Sequence, residues 1–85
     1  MLELYQKEEC PYCAKVRQYL SDNCIDWVAR STPKHCRTTR EKMFALAGED
    51  AKEQVPFLHD PKTGVAMYES DAIIEYIRKT YVEKE

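Results

Sequence analysis

The sequence predicts an α/β fold with the order βαβαββα, in which a four-stranded mixed sheet packs with three helices. Segments of alternating apolar and polar residues are typical of strands, and segments with a helical repeat lie between them. A Pro- and Gly-punctuated turn at residues 60–64 joins two such strands. The chain has 85 residues, of which 44% are apolar and 33% charged, so we expect one globular domain over residues 1–85.

The first half of the chain predicts a βαβ unit. Apolar and polar residues alternate over residues 2–4, which predicts the first strand. A helix is predicted from Pro11 to Asp22, with an apolar face formed by Cys13, Val16 and Leu20. Pro11 suits the first helical position because the N–H it lacks would have no partner there. Alternation resumes over residues 25–29, the second strand, which we expect to run parallel to the first.

The second helix is predicted after a polar loop over residues 31–37. Thr38 and Glu41 have the spacing of a capping box, with Thr38 as the N-cap. Met43, Phe44 and Ala47 then form a short apolar face. Gly48 is expected to end this helix, since glycine readily adopts the backbone conformation found after helix ends.

The last part of the chain predicts an antiparallel hairpin and a third helix. The strands cover residues 55–59 and 65–68, and the turn at 60–64 is short enough to pair them. Ser70 is expected as the N-cap of the third helix and Asp71 in its first turn. The apolar face of this helix comprises Ile73, Ile74, Ile77 and Tyr81. The two final residues, 84 and 85, are expected to fray.

Composition disfavours several classes of function. The net charge of −2 gives no basic surface for nucleic acid, and no apolar run has the roughly 20 residues of a membrane helix. The N-terminus lacks the basic start and apolar stretch of a signal peptide. We therefore expect a cytoplasmic, monomeric protein with no nucleic-acid or membrane partner.

The Cys10-Pro11-Tyr12-Cys13 segment lies where the first strand meets the first helix. Cys10 would be the N-cap and Cys13 the third helical residue, so both thiols would lie on one side, within disulfide distance. Helix N-termini stabilise negative charge, and Lys7 adds a cation, so Cys10 is predicted to be the attacking thiolate. Cys13 shares the apolar helix face and is predicted to be the resolving thiol. Glu8 and Glu9 oppose this effect, although solvent screens exposed charges.

A metal site fits the spacing less well. A structural zinc site needs four ligands, usually in two close pairs. Cys24 and Cys36 are separated by eleven residues, and His35 and His59 form no tight pair with either of them. We predict no protein-bound metal, but an iron–sulfur cluster shared between two chains by Cys10 and an external thiol stays open.

These motifs resemble those of a glutaredoxin of the dithiol C-P-Y-C type. Val55-Pro56 is similar to the family's V-P, whose proline peptide is cis. Glu69-Ser70-Asp71 resembles the glutathione-binding turn of glutaredoxins and of glutathione-transferase N-terminal domains. The resemblance covers essentially the whole chain and implies a thioredoxin-like fold. Tyr68-Glu69 occupies the region where many glutaredoxins carry Gly-Gly, and this is closer to the transferase pattern.

The resemblance implies a glutathione site. Pro56 would keep Val55 extended, so that its N–H and C=O pair with the cysteinyl unit of glutathione. The amides of Ser70 and Asp71 would bind the γ-glutamyl carboxylate, and the Asp71 side chain the amino group. Lys7 would bind the glycyl carboxylate, and Arg40 is the second candidate for this role. Tyr12 would flank the tripeptide.

The activity that the resemblance implies is glutathione-dependent thiol–disulfide exchange. The substrates would be protein disulfides and protein–glutathione mixed disulfides. Glutathione would be a co-substrate, and no cofactor would be bound permanently. Three alternatives stay open: a glutathione-ligated iron–sulfur module, a transferase-like glutathione-binding domain without redox activity, and a thioredoxin-type reductant supplied by a reductase.

Overall fold

A computed structural model describes residues 1–83, which form a four-stranded sheet with three α-helices. The expected fraying of residues 84 and 85 lies outside this range. The elements are β1 Leu2–Gln6, α1 Pro11–Asp22, β2 Trp27–Ser31, α2 Arg37–Ala47, β3 Phe57–Asp60, β4 Val65–Tyr68 and α3 Ser70–Ile77. A 3₁₀ turn, Gly48–Asp50, follows α2, and a π-helical turn, Arg78–Val82, continues α3.

The sheet has the strand order β2-β1-β3-β4 and is mixed, as predicted. β1 runs parallel to β2, with Leu2 opposite Trp27, and antiparallel to β3, with Tyr5 opposite Phe57. β3 and β4 form the predicted antiparallel hairpin. The carboxyl end of central strand β1 therefore leads directly to the N-terminus of α1, where the two cysteines lie.

Two apolar clusters cover the two faces of the sheet. Alternate residues of β1 point to opposite faces, so Leu4 joins one cluster and Tyr5 the other. The first cluster lies against α1 and α3 and comprises Leu2, Leu4, Val16, Leu20, Leu58, Ile73 and Ile77. The second lies against α2 and comprises Tyr5, Met43, Phe57 and Tyr68. Within residues 1–83, no helix is long and apolar enough to cross a membrane.

Two predicted N-caps are wrong, the cap of α2 by two residues and the cap of α3 by one. α2 has Cys36 rather than Thr38 at its N-cap, since the Cys36 carbonyl accepts the first helical hydrogen bond, from Arg40 N–H at 3.1 Å. α3 begins at Ser70, which is the first helical residue rather than the cap. Glu69 is the cap because its positive φ of 79° turns the chain from β4 straight into the helix, and its carbonyl accepts from Ile73 N–H at 2.9 Å.

The start of β3 also differs from the prediction. The strand begins at Phe57, so Val55 and Pro56 precede it and do not pair with β1. The Val55-Pro56 peptide bond is cis. The two residues therefore lie beside the paired strands, at the same end of the sheet as the N-terminus of α1.

Candidate functional site

The two cysteines of the motif lie one helical turn apart at the start of α1. Cys10 is the N-cap, with φ −79° and ψ 117°, and Pro11 is the first helical residue. The Cys10 Sγ accepts a hydrogen bond from the Cys13 backbone N–H at 3.4 Å. Both residues are free thiols. The sulfur of Cys10 thus occupies the place of a capping oxygen at the N-terminus of α1 and accepts a backbone N–H there.

The two thiols differ in exposure. Cys13 is fully buried on the inner face of α1, whereas Cys10 retains 8% of its surface and lines an open cavity. Burial raises the pKa of the Cys13 thiol well above its ordinary value, and the interaction with Cys10 raises it further. Cys13 is therefore protonated at neutral pH, and Cys10 is the accessible thiol of the pair.

Val55 lies directly beside Cys10. The Cys10 thiol donates a long hydrogen bond, of 4.0 Å, to the Val55 carbonyl. Within the part of the chain that the structure describes, no group hydrogen-bonds to the Val55 N–H. An extended peptide passing Cys10 would find this backbone donor free, as strand addition requires.

A cavity of about 550 Å³ opens on one side of Val55. Its wall includes three cations, Lys7, Lys34 and Arg40, and two carboxylates, Glu9 and Glu53. Arg40 is the most enclosed of the cations, since its side chain is 13% exposed and its guanidinium lies 5.4 Å from the centre of the Phe44 ring. It also pairs with the mostly exposed Glu53 at 3.1 Å. This side of the site is suited to a carboxylate.

A second cavity, of about 420 Å³, opens on the other side of Val55. It is bounded by the exposed Tyr12 and by the turn into α3, and its wall contains two carboxylates, Glu69 and Asp71. Asp71 forms an ion pair with Lys15, and Gln54 Nε2 donates to Glu69 Oε2 at 3.3 Å. This side combines carboxylates for an ammonium with the N-terminal amides of α3 for a carboxylate.

The structure brings the predicted site residues together around Cys10. Lys7 lines the first cavity, Tyr12, Ser70 and Asp71 line the second, and Val55 belongs to both. Pro56 borders the second cavity, and Cys13 lies behind Cys10. The division into two cavities follows from the position of Val55 between the starts of α1 and α3.

The sequence interpretation missed several side chains of the site. Gln54 directly precedes the Val55-Pro56 motif, and Glu69 belongs to the Glu69-Ser70-Asp71 motif but was given no role, so the sequence contained a signal for both. Lys15, Lys34 and Glu53 reach the site only through the folded arrangement of helices and loops. Among residues 1–83, no three His, Cys, Asp or Glu side chains lie close enough to hold a metal ion.

This fold, with two thiols at the start of α1 and a cis-proline beside them, defines a thioredoxin-like domain. Residues 4–85 match the family described as "Glutathione S-transferase, N-terminal domain". The chain therefore belongs to the glutathione S-transferase N-terminal domain family. The predicted glutaredoxin type is a finer assignment within related thioredoxin-fold families and stays a prediction. Comparison with curated protein sequences gives no significant match.

Solved structures with the same fold include three glutathione S-transferases. The transferase 1-6 of Anopheles dirus species B matches with a TM-score of 0.79 and 23% identity, over 96% of this chain and 37% of that one. A diazinon-metabolizing transferase of the silkworm Bombyx mori matches with 0.76 and 25%, over 96% and 39%. A transferase of Xanthobacter autotrophicus Py2 matches with 0.63 and 24%, over 94% and 38%. The chain thus spans under two-fifths of the length of these enzymes.

Proposed function

We propose that this chain is a glutathione-dependent thiol–disulfide oxidoreductase of the dithiol glutaredoxin type. Its substrates are protein disulfides and protein–glutathione mixed disulfides. The observation that carries the proposal is the position of Cys10: its sulfur accepts the Cys13 amide at 3.4 Å and opens on a cavity, while Cys13 is fully buried. A transferase that used glutathione only as a bound nucleophile would need no second thiol behind the first.

Glutathione fits the two cavities in one orientation. The cysteinyl backbone pairs with Val55, which directs its sulfur toward Cys10. The glycyl carboxylate enters the cation-lined cavity, where Arg40 and Lys7 lie. The γ-glutamyl group enters the other cavity, with its carboxylate at the Ser70 and Asp71 amides and its ammonium near the Asp71 carboxylate. The amino group then competes with Lys15 for Asp71.

The reaction proceeds in two thiol–disulfide exchanges. The Cys10 thiolate attacks the glutathione sulfur of a mixed disulfide, forms a Cys10–glutathione disulfide, and releases the protein thiolate, which takes up a proton. A second glutathione thiolate then attacks the glutathione sulfur bound to Cys10. This step forms oxidised glutathione and regenerates the Cys10 thiolate, so one free glutathione is consumed and the disulfide bond passes from the protein to oxidised glutathione.

Protein disulfides require Cys13. After Cys10 attacks, a substrate sulfur is bound to Cys10, and Cys13 attacks the Cys10 sulfur to release the substrate as a dithiol. The Cys10–Cys13 disulfide left behind is then reduced by two glutathiones, which form oxidised glutathione. Since burial raises the pKa of Cys13, its attack needs the leaving thiolate to accept the Cys13 proton. The route through Cys13 is therefore the slower one at neutral pH, and the monothiol route carries most deglutathionylation.

A second candidate is a glutathione-binding domain of the transferase type without redox activity. The family match favours it directly. The electrophile-binding second domain of such enzymes has no counterpart in the residues described, since the chain spans under two-fifths of the transferases' length. The two candidates share glutathione binding and differ in the need for Cys10.

The test is reduction of a glutathionylated peptide, coupled to glutathione reductase and NADPH. We expect Cys10→Ser to lower the rate more than about 100-fold, because no other thiolate occupies the site. Cys13→Ser should retain at least about half of the rate, and Cys24→Ser, at an exposed thiol outside the motif, should match the wild type. Full activity of Cys10→Ser would overturn the redox proposal.

Binding separates the two candidates if turnover is absent. Titration of the ¹⁵N-labelled chain with S-methylglutathione should shift the amides of Val55 and Ser70. Binding without turnover would identify the transferase-type domain, and no binding would overturn both candidates. Replacing glutathione reductase by thioredoxin reductase in the coupled assay should abolish NADPH oxidation.

A further inference from the structure

A patch of unpaired positive charge borders the cavity that holds Cys10. The chain has 13 Lys and Arg against 15 Asp and Glu, but residues 34–42 contain four of the basic residues and a single carboxylate. This segment leads from the β2–α2 loop into α2 and contributes Lys34 and Arg40 to the cavity wall. The local excess of positive charge is thus opposite in sign to the charge of the whole chain.

Two of these cations are available to a partner. Lys34 and Arg37 are exposed, and neither forms an ion pair with any carboxylate in residues 1–83. Arg40 differs, since it is partly enclosed and pairs with Glu53. Arg37 lies three residues before Arg40 in α2, so the two residues share one side of the helix. We call the pair Lys34 and Arg37 the basic rim.

The basic rim lies on only one side of Cys10. On the other side of Val55, the second cavity is lined by Glu69 and Asp71. A protein bound over Cys10 would therefore meet positive charge toward α2 and negative charge toward α3. Charges at the edge of an interface act mainly on the encounter rate and on the choice of partner. The arrangement favours a partner whose own charge is negative on the side that faces α2.

We infer that the basic rim selects protein substrates that carry acidic residues next to the disulfide or glutathionylated cysteine. The inference rests on the proposed oxidoreductase function and adds the substrate class to it. Lys34 also lines the cavity proposed for the glycyl carboxylate, whereas Arg37 lies outside it, so Arg37 acts only on the protein half of the mixed disulfide. Their effect should fall as salt screens exposed charges.

The test compares three glutathionylated peptides that differ only in having acidic, neutral or basic residues beside the cysteine. For the wild type, kcat/KM should be highest for the acidic peptide at low salt. Because Arg37 does not line the glutathione cavity, Arg37→Glu should lower kcat/KM for the acidic peptide about three- to fivefold and leave the neutral peptide within about twofold. At high salt, the difference between wild type and variant should shrink.

A matched control changes the net charge equally at the far end of the molecule. Lys62 is exposed, and the β3–β4 turn that holds it lies at the end of the sheet opposite Cys10. Lys62→Glu should leave the peptide preference unchanged. Equal loss in Arg37→Glu and Lys62→Glu would show a net-charge effect and overturn the inference. A short single-stranded RNA that inhibits the reduction of the acidic, neutral and basic peptides equally would also overturn the inference, because the basic rim would then bind any polyanion.

A second measurement does not depend on turnover. Peptides with Ser in place of the cysteine can be titrated into the ¹⁵N-labelled chain. The acidic peptide should shift the amides of residues 34–37, and the basic peptide should not. If no peptide is reduced but these shifts appear, the proposed function is wrong, whereas the binding of acidic peptides at the basic rim is confirmed. If all three peptides are reduced at the same rate and no shifts appear, the proposed function holds and the inference about the basic rim is wrong.

Discussion

Replacing Asp60 by Asn removes a buried charge on which three hydrogen bonds converge. Asp60 ends β3 and is 1% exposed. Its Oδ2 accepts from the hydroxyls of Tyr76 and Tyr81, each at 2.6 Å. Its Oδ1 accepts from the Lys62 backbone N–H at 3.0 Å. The carboxylate thus joins the hairpin turn to α3 and to the π-helical turn that follows.

The size of the loss follows from the donors that remain. If the Asn oxygen keeps the Lys62 amide, its NH₂ group can only donate, so the hydroxyl protons of Tyr76 and Tyr81 lose their charged acceptor. Tyr76 can turn to Thr63 Oγ1, which lies 2.7 Å from its hydroxyl, but Tyr81 has no other partner in residues 1–83. A hydrogen bond to a charged group contributes about 1.5–3 kcal/mol, so we expect a loss of about 2–4 kcal/mol in the free energy of unfolding. In a domain of this size, that lowers Tm by about 10–20 °C.

Urea denaturation followed by far-UV circular dichroism measures this loss. Asp26→Asn, at an exposed position before β2, is the matched control and should change stability by less than about 0.5 kcal/mol. A double-mutant cycle with Tyr81→Phe should give a coupling above about 1 kcal/mol. An Asp60→Asn loss no larger than that of Asp26→Asn would refute the reasoning.

The same substitution has a pH dependence of known sign. Burial alone would raise the pKa of Asp60, but the hydrogen bonds from Tyr76 and Tyr81 outweigh it and hold that pKa below its ordinary value. A carboxyl whose pKa is lowered by folding stabilises the protein above its unfolded pKa and loses this effect as pH falls through the folded pKa. The difference between wild type and Asp60→Asn should therefore be constant near neutral pH and shrink below about pH 4.

Two further predictions concern the candidate site. Iodoacetamide should label Cys13 last of the four thiols, since Cys13 is fully buried and its pKa is raised. Equal labelling rates for Cys13 and the exposed Cys24 by mass spectrometry would contradict this. Arg40→Gln should weaken glutathione binding about three- to tenfold, more than Lys7→Gln, because Arg40 is better shielded from solvent. Lys42→Gln, exposed on the same helix, is the control, and an equal effect there would refute the assignment.

Much of the fold was predictable because local signals agreed with the tertiary structure. The bounds of α1 and β4 match the predictions, since Pro11 marks the helix start and the residues at 60–64 demand a turn. The two N-cap errors have another origin. Glu69 adopts a positive φ that its side chain does not favour, so no local rule could place the cap there.

The candidate site was predictable only in its motif residues. Cys10, Val55 and Ser70 belong to short patterns with a chemical meaning, and the fold brings these patterns together. The pairing of Arg40 with Glu53, and of Asp71 with Lys15, joins residues far apart in the chain. Such contacts depend on how helices pack, and periodicity and spacing carry no information about them.

Glutathionylation of the Cys13→Ser variant is the most direct measurement of whether Cys10 is the reactive thiol. The reduced variant is treated with a limiting amount of oxidised glutathione, and its peptides are analysed by mass spectrometry. We predict that the glutathione adduct forms on Cys10, and that the wild type forms a Cys10–Cys13 disulfide instead. An adduct mainly on Cys24 or Cys36, or no adduct on Cys10, would contradict a glutathione-linked redox centre at the start of α1.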